Sequence, residues 1–558
     1  MSGATVAIVP VRGGSVGIPR KNARLLCGKP LLAYCLEAAR AARSIDALYV
    51  STDDPELAEI ARRFGAEVLE RPAALAGPDS TLDEVIVDAV PRIEASGTPV
   101  GHVVTLQATS PLLRPATIDR AVAACREQAL DTVLSVVDAR HLHWTQTQNG
   151  DFSPLYAARV NRQQLPAQFR ETGGVVVCRR EILDTGSRFG TRVSAVELGA
   201  TESLDIDDRF DWWLAEKSLQ RRRIAFRVVG NRETGLGHAY RALTLADRLI
   251  DHELHFFVRP DHGLAAQRIE TRRHPVHVVG QSEELEALRA CAPDLIVNDV
   301  LDTTKREMEA FRSLGAAVVN FEDLGPGAAL ADAVVNALYD VPGGGFDGNV
   351  HQGVSHCVLR DEFYSVEPIA VREDVREVLV LFGGTDPNDL TARCLPWIDA
   401  LPGDWRLTVV SGFGYPRPEA LRAIAADLRH DTEVVVDTPI VSRYMARADI
   451  AITSAGRTVF ELASLGVPML VIPQNARECQ HRFALESPGV VSLPPAHDLD
   501  PLEFSGALHE LLSDHALRQQ LHTALLAADI RGGIDRTLDV LEGALRVAPK
   551  PRERQEPV

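Results

Sequence analysis

Two groups of residues in this sequence have the types and spacing for phosphate chemistry. The first is VRGGSVGIPRKN, Val11 to Asn22, directly after the apolar run ATVAIVPV. Its glycines at 13, 14 and 17 let backbone approach a ligand and aim N–H groups at it. Arg12, Arg20 and Lys21 add the positive charge that suits a triphosphate. Far downstream, SLDIDD sets Asp205 and Asp207 two apart, so in an extended segment both carboxylates project to one face with Ile206 packed behind. Such a pair, with phosphate oxygens and water, makes a Mg²⁺ site; a solvated acidic turn is the plainer alternative. The second group starts at NRETGLGHAYR, where Gly235, Gly237 and His238 sit at a strand-to-helix turn with Arg241 one turn into the helix. A lone histidine is more often structural, but at the mouth of such a turn it can face a ligand crevice. FGGTDPND, with Gly384 and Thr385, is another glycine turn after a strand and is suited to phosphate. In ITSAGRTVFEL, Ser454, Ala455 and Gly456 lead into a helix whose N-terminus can hold a diphosphate. Glu461, about a turn inside, can accept hydrogen bonds from ribose hydroxyls.

These residues need strands to carry them. Short Val- and Ile-rich runs (ATVAIVPV, ALYVST, HVVTLQ, LIVND, VLVLF, AITSA, MLVIP) alternate with stretches of helical period such as Pro30–Ala42, where Leu32, Cys35, Leu36 and Ala39 share a face. Runs that are apolar at every position imply sheets covered on both faces, hence α/β units with mainly parallel strands. The pattern restarts after RFDWWLAEKSLQ and its three arginines, and a weaker seam lies near Val366–Asp374. The expected organisation is 1–222, 223–368 and 369–548, with a charged, proline-containing tail at 549–558.

The 558 residues are too many for one core. The net charge of -18 argues against a nucleic acid or an anionic membrane as partner, so an anionic substrate requires a local cluster of cations, which Val11–Asn22 supplies. Eight cysteines without a C-x-x-C pair point to buried thiols in a reducing cytoplasm. Neither a signal peptide nor a bilayer-spanning run is expected.

The loop, LLCGKPLLAYCLEAA, VSTDD, LQATSPLLRP, NRQQLPAQFRETGG and SLDIDD, in this order, resemble the N-acylneuraminate (sialic acid) cytidylyltransferase family over nearly all of the first 220 residues. The resemblance implies a Rossmann-like nucleotidyltransferase that moves CMP from CTP to a nine-carbon keto-acid sugar with Mg²⁺, as a homodimer through this domain. It makes Arg12 and Lys21 catalytic and Asp205 and Asp207 the metal ligands. Gly13, Ser15, Asn22, Arg71 and Ser80 fall near the nucleotide, and Gln107 near the acceptor. Arg162 and Arg170 are surface charges by default, but the resemblance sets them against phosphate or the sugar carboxylate. Val16 stands where the family has lysine, and Thr172-Gly173 where it has Asn-Gly; both bear on acceptor choice.

From 223 on, G-x-G-H-x-x-R, F-E-D, L-R-D-E-F-Y, G-G-T-D and S-A-G-R-T-x-x-E resemble the UDP-sugar hydrolase of the pseudaminic acid pathway, with a GT-B pair of Rossmann domains. The resemblance implies release of UDP from a 2,4-diacetamido-trideoxyhexose without a metal, His238 acting as general base. Gly237, Gly384, Thr385, Ser454, Gly456 and Glu461 are expected to hold the UDP-sugar. The family's early Asp is missing from RVVGNRE, and its Asp-His appears as Asn298-Asp299. Glycosyl transfer and binding without turnover therefore stay open beside hydrolysis.

Overall fold

The computed structural model describes residues 3–14, 17–77, 79–340 and 350–547. Ser15, Val16 and the expected tail at 549–558 lie outside the described residues. The chain packs as two compact units, Met1–Arg221 and Arg222–Val558. Among the described residues no helix is long and apolar enough to cross a membrane.

The first unit is built on a seven-stranded sheet. From one edge its strands are Glu67–Glu70, Ala47–Thr52, Ala4–Pro10, Val100–Leu106, Phe169–Arg179, Thr132–Asp138 and Val193–Glu197. Phe169–Arg179 runs antiparallel to both neighbours and every other pairing is parallel. Ala4–Pro10 is buried from Thr5 to Val9, as a strand covered on both faces must be. The helix Leu31–Ala41 covers one face and buries Leu32, Cys35, Leu36 and Ala39. The chain winds outward from Ala4–Pro10 on one side and then crosses to Val100–Leu106 on the other. Between these two strands the winding reverses, and ligands of open α/β sheets bind outside the carboxyl ends at such a point.

The second unit holds two parallel sheets of the same winding. In the first, Val276–Val278, Glu253–Val258, Arg223–Val228, Leu295–Asp299, Ala317–Phe321, Ala333–Asn336 and Val350–Gln352 follow one another across the sheet. In the second the order is Thr432–Val436, Arg406–Ser411, Glu377–Leu381, Ile450–Ser454, Met469–Ile472 and Val490–Ser492. Each reverses between its first and fourth strands in chain order. The architecture is α/β throughout, a Rossmann-like unit followed by a GT-B-like pair of Rossmann lobes. One expectation is corrected: 369–548 does not pack as a single lobe. The last helix, Gly533–Val547, puts Ile534, Val540, Leu541, Ala544 and Leu545 into the core formed by Phe226, Val297, Val319 and Val335 of the first lobe. Its apolar stripe matches that face, a partner that helical period alone does not name.

Candidate active sites

In the first unit the loops after Ala4–Pro10 and Val100–Leu106 wall a cavity of about 440 Å³. Arg12, Gly14, Gly17, Lys21, Asn22, Arg71, Ser80, Gln107, Thr109 and Asp207 line it. Seven of the expected residues (Arg12, Lys21, Asn22, Arg71, Ser80, Gln107 and Asp207) thus come together, from segments up to two hundred residues apart. Gly13 sits behind the wall, where an added Cβ would stand 2.4 Å from Asp54 Oδ2. Gly17 is equally constrained: a Cβ there would lie 2.6 Å from the Asp207 carbonyl oxygen. Asn22 Oδ1 is buried without a hydrogen-bond partner.

The cations divide differently from the expectation. Arg12 donates to Gly77 O at 3.1 Å, and Lys21 Nζ donates to Ile206 O at 2.5 Å and stands 3.5 Å from Asp207 Oδ1. Arg20 turns away to an exposed ion pair with Glu56, so it adds no charge to the cavity. Arg71 replaces it, donating to Ser51 O at 2.7 Å; burial, with Arg12 nearby, holds its guanidinium below the usual range.

The acidic segment is pinned from three sides. Ile206 is fully buried and donates its N–H to Thr109 O at 2.9 Å, while Asp208 caps the helix Arg209–Gln220. Asp211 reaches back to accept the Asp207 N–H at 3.0 Å. Asp205 is half-buried beside Thr109; burial raises its carboxyl above the usual range, and the charge of Asp207 adds to this. Its Oδ1 is buried and unpartnered, whereas the Asp207 carboxylate is exposed. An orphaned buried oxygen beside an open carboxylate fits a divalent cation. No group of three or more His, Cys, Asp or Glu suited to a metal occurs among the described residues, so phosphate and water would supply its other ligands. Arg162 and Arg170 are not brought to this cavity: both are exposed, Arg162 on the excursion between Asp138 and Phe169 that leaves the sheet, and Arg170 at the start of the strand Phe169–Arg179, opposite Val137. That excursion carries the hairpin Trp144–Gln146/Phe152–Pro154 and exposes Trp144, Phe152 and Leu155, with Phe169 exposed where the chain rejoins the sheet.

In the second unit a cavity of about 370 Å³ opens at the switch points of both sheets. Gly237, His238, Gly384, Thr385, Ser454, Gly456 and Glu461 all line it. Gly235 has φ 74°, which a side chain would strain, and it turns the chain into the helix Gly237–Arg248. His238 lies in that helix's first turn. The two glycine turns meet closely: a Cβ on Gly384 would be 3.2 Å from Leu236 Cβ.

Asp299, at the end of the fourth strand, organises the side of this cavity that carries His238 and Arg241. It is fully buried; its Oδ1 is 2.7 Å from His238 Nδ1, and it takes two bonds from Arg241, at 2.6 and 2.8 Å. Burial works against its charge, but Arg241 and His238 outweigh this and hold the carboxyl far below the usual range. Arg241 Nη1 also reaches Glu322 at 2.8 Å, and Glu322 accepts the Ala337 and Leu338 N–H groups. With Nδ1 facing a carboxylate, the other ring nitrogen of His238 is the one available to the cavity. Glu461 is not free for ribose alone, because Arg360 Nε donates to its Oε1 at 2.7 Å. Asp299, Arg360 and Glu322 escaped the site reading of the sequence. Asp299 was visible only as a departure from a motif, and its acidic type at a strand end was the available signal.

Each unit is therefore built on Rossmann-type sheets with a charged cavity at their switch points. Residues 6–182 match the Cytidylyltransferase family model, and residues 378–518 match the Glycosyltransferase family 28 C-terminal domain. N-acylneuraminate cytidylyltransferase A of Danio rerio is 30% identical over 221 residues, 38% of this chain and 50% of the fish protein. The chain thus spans about half the length of that relative. CMP-N,N'-diacetyllegionaminic acid synthase of Legionella pneumophila is 27% identical over 222 residues, covering 38% of this chain and 96% of its own. Spore coat polysaccharide biosynthesis protein SpsG of Bacillus subtilis is 25% identical over 312 residues, 52% of this chain and 90% of its own.

Proposed function

We propose that the first unit transfers CMP from CTP to a nonulosonic acid of the sialic, legionaminic or pseudaminic type, releasing pyrophosphate. The observation that carries this reading is the convergence of Arg12, Lys21, Arg71 and Asp207 at one cavity, with Asp205 half-buried beside Asp207. The anomeric hydroxyl attacks the α-phosphorus of CTP in line, and the bond to the pyrophosphate oxygen breaks. Arg12 and Lys21 neutralise charge growing on that leaving group, and Gly14 and Gly17 let the loop backbone approach it. Asp205 and Asp207 would hold Mg²⁺, which supplies further charge neutralisation on the phosphates. The relatives' names, one N-acylneuraminate and one diacetyllegionaminic acid, set the acceptor panel. Purified protein with Mg²⁺ and CTP should release pyrophosphate only with a sialic, legionaminic or pseudaminic acid present; no release across that panel overturns the reading. The exposed apolar excursion around Trp144, Phe152 and Phe169 supports a homodimer through this unit, and the eight free thiols suit a reducing cytoplasm.

For the second unit the reading is cleavage of a UDP-sugar of the diacetamido-trideoxyhexose class, with His238 as general base on water. The His238–Asp299 pair favours it: a carboxylate-oriented imidazole at a nucleotide cleft is arranged to take a proton. The Glycosyltransferase family 28 match favours transfer to a second sugar as the other reading. Release of UDP without any acceptor supports hydrolysis, and release only with an acceptor supports transfer. His238→Ala should stop either.

A further inference from the structure

Four arginines line the cavity of the second unit, and three are committed to carboxylates. Arg241 is held by Asp299 and Glu322, Arg360 by Glu461 and Glu362, and Arg477 by Asp302. Arg457, on the turn after the strand Ile450–Ser454, is different. Its described hydrogen bond is to the carbonyl of Val358, and no carboxylate of the described residues lies within ion-pair distance. Burial disfavours its charge and the nearby Arg241 repels it; Asp299 and Glu461 attract it without pairing with it, so this cation has no direct counter-ion among the described residues.

The position of the side chain says where that anion belongs. Arg457 reaches from the second lobe across Gly237 of the first: a Cβ on Gly237 would meet Arg457 Cδ at 3.1 Å. Gly237 immediately precedes His238, and Ser454, Gly456 and Thr458 of the Arg457 turn line the same cavity. The stem of Arg457 therefore passes against the glycine turn that leads into His238, at the wall of the same cavity. An anion seated there would be the bridge between nucleoside and sugar.

We propose that Arg457 is the cross-cleft ligand of the diphosphate, neutralising it when bound and as it departs; this rests on the nucleotide-sugar reading of the site. The planar guanidinium can pair two phosphate oxygens at once, which a lysine ammonium does less well. Gly237 is the clearance that its stem requires.

Calorimetry of the full-length protein with UDP and with uridine tests this. Arg457→Gln should weaken UDP on the order of tenfold to a hundredfold and leave uridine unchanged. Arg457→Lys should recover part of the loss. Gly237→Ala, which crowds the stem, should weaken UDP several-fold in the wild-type background and have no effect when combined with Arg457→Gln. Unchanged UDP affinity in Arg457→Gln, or equal losses for UDP and uridine, would overturn the assignment and make Arg457 a structural tie to Val358. Wild-type protein that binds neither ligand would overturn the nucleotide-sugar reading itself, and the assignment with it.

Discussion

Asp205→Asn should make the ligand-free first unit more stable while abolishing its activity. In the wild type a half-buried carboxylate keeps one oxygen, Oδ1, without a hydrogen-bond partner, and Asp207 adds like charge nearby. A buried neutral group left unsatisfied costs about 1–3 kcal/mol, and a charged one more. Asparagine keeps the volume and removes the charge with its repulsion from Asp207, so a gain of about 1–2 kcal/mol is expected. For a unit of this size that is roughly 3–6 °C in its melting transition. The sign with pH comes from the raised carboxyl. Its protonated form is favoured in the fold, so the stability it contributes is present at low pH and lost as pH climbs through the folded value. The advantage of the variant should therefore be largest at alkaline pH and vanish in acid. Mg²⁺ with CTP reverses the order: at about a hundred times the dissociation constant a ligand adds about 2.7 kcal/mol, which the wild type gains and the variant does not. Thermal melts of the whole chain at several pH values, with and without Mg²⁺ and CTP, report this through the transition that CTP moves. A variant that melts lower than wild type without ligand, or gains the full Mg²⁺–CTP shift, would refute the reasoning.

Gly17→Ala should lower kcat/KM for pyrophosphate release by on the order of a hundredfold, because its Cβ would meet the Asp207 carbonyl and displace the loop from the acidic segment; steady-state kinetics with varied CTP check it. Asp299→Asn should reduce UDP release on the order of a thousandfold while UDP still binds, since His238 loses the carboxylate that orients it and Arg241 keeps Glu322; turnover and calorimetry together read the split. Glu478, which burial pushes up to about 7, contributes stability below the ordinary carboxylate range that is lost as pH rises through 7. Glu478→Gln should thus gain up to about 3 kcal/mol over wild type between pH 5 and 8 in denaturant melts; a difference independent of pH contradicts that assignment.

The strands were legible because buried parallel strands must be apolar at every position, and their reversal points came from order alone. The cavity of the first unit was legible because motif residues such as Arg12, Lys21 and Asp207 sit on loops that leave the carboxyl ends of neighbouring strands. The features that escaped depend on partners distant in sequence. Arg20 looks like a phosphate cation until Glu56, in the first turn of the helix Pro55–Arg63, claims it. Arg162 and Arg170 share a motif of the resembling family, yet Arg162 lies on the segment that leaves the sheet and Arg170 sits exposed where the chain rejoins it. Asp299 read as a missing histidine, because a motif records residue type and not which neighbour a carboxylate faces. Arg457 carried no role in the sequence reading of its glycine turn, since its lack of a paired counter-ion among the described residues exists only in three dimensions.

The crossing of the final helix also sets an order on synthesis. The first lobe of the second unit begins at Arg223, but its core is not closed until residues near Leu541 leave the ribosome. During that interval the Phe226–Val335 face lacks its cover, while the complete second sheet is made in between. A nascent chain of this kind exposes apolar surface for the time needed to translate some two hundred residues, from Val335 to Leu541, about 10–40 seconds at ordinary rates. The first unit is under no such delay, because its seven-stranded sheet is complete once Val193–Glu197 has been made. Folding yield in the cell should therefore be governed by the second unit, and chaperone dependence by the distance between that lobe and the helix that seals it.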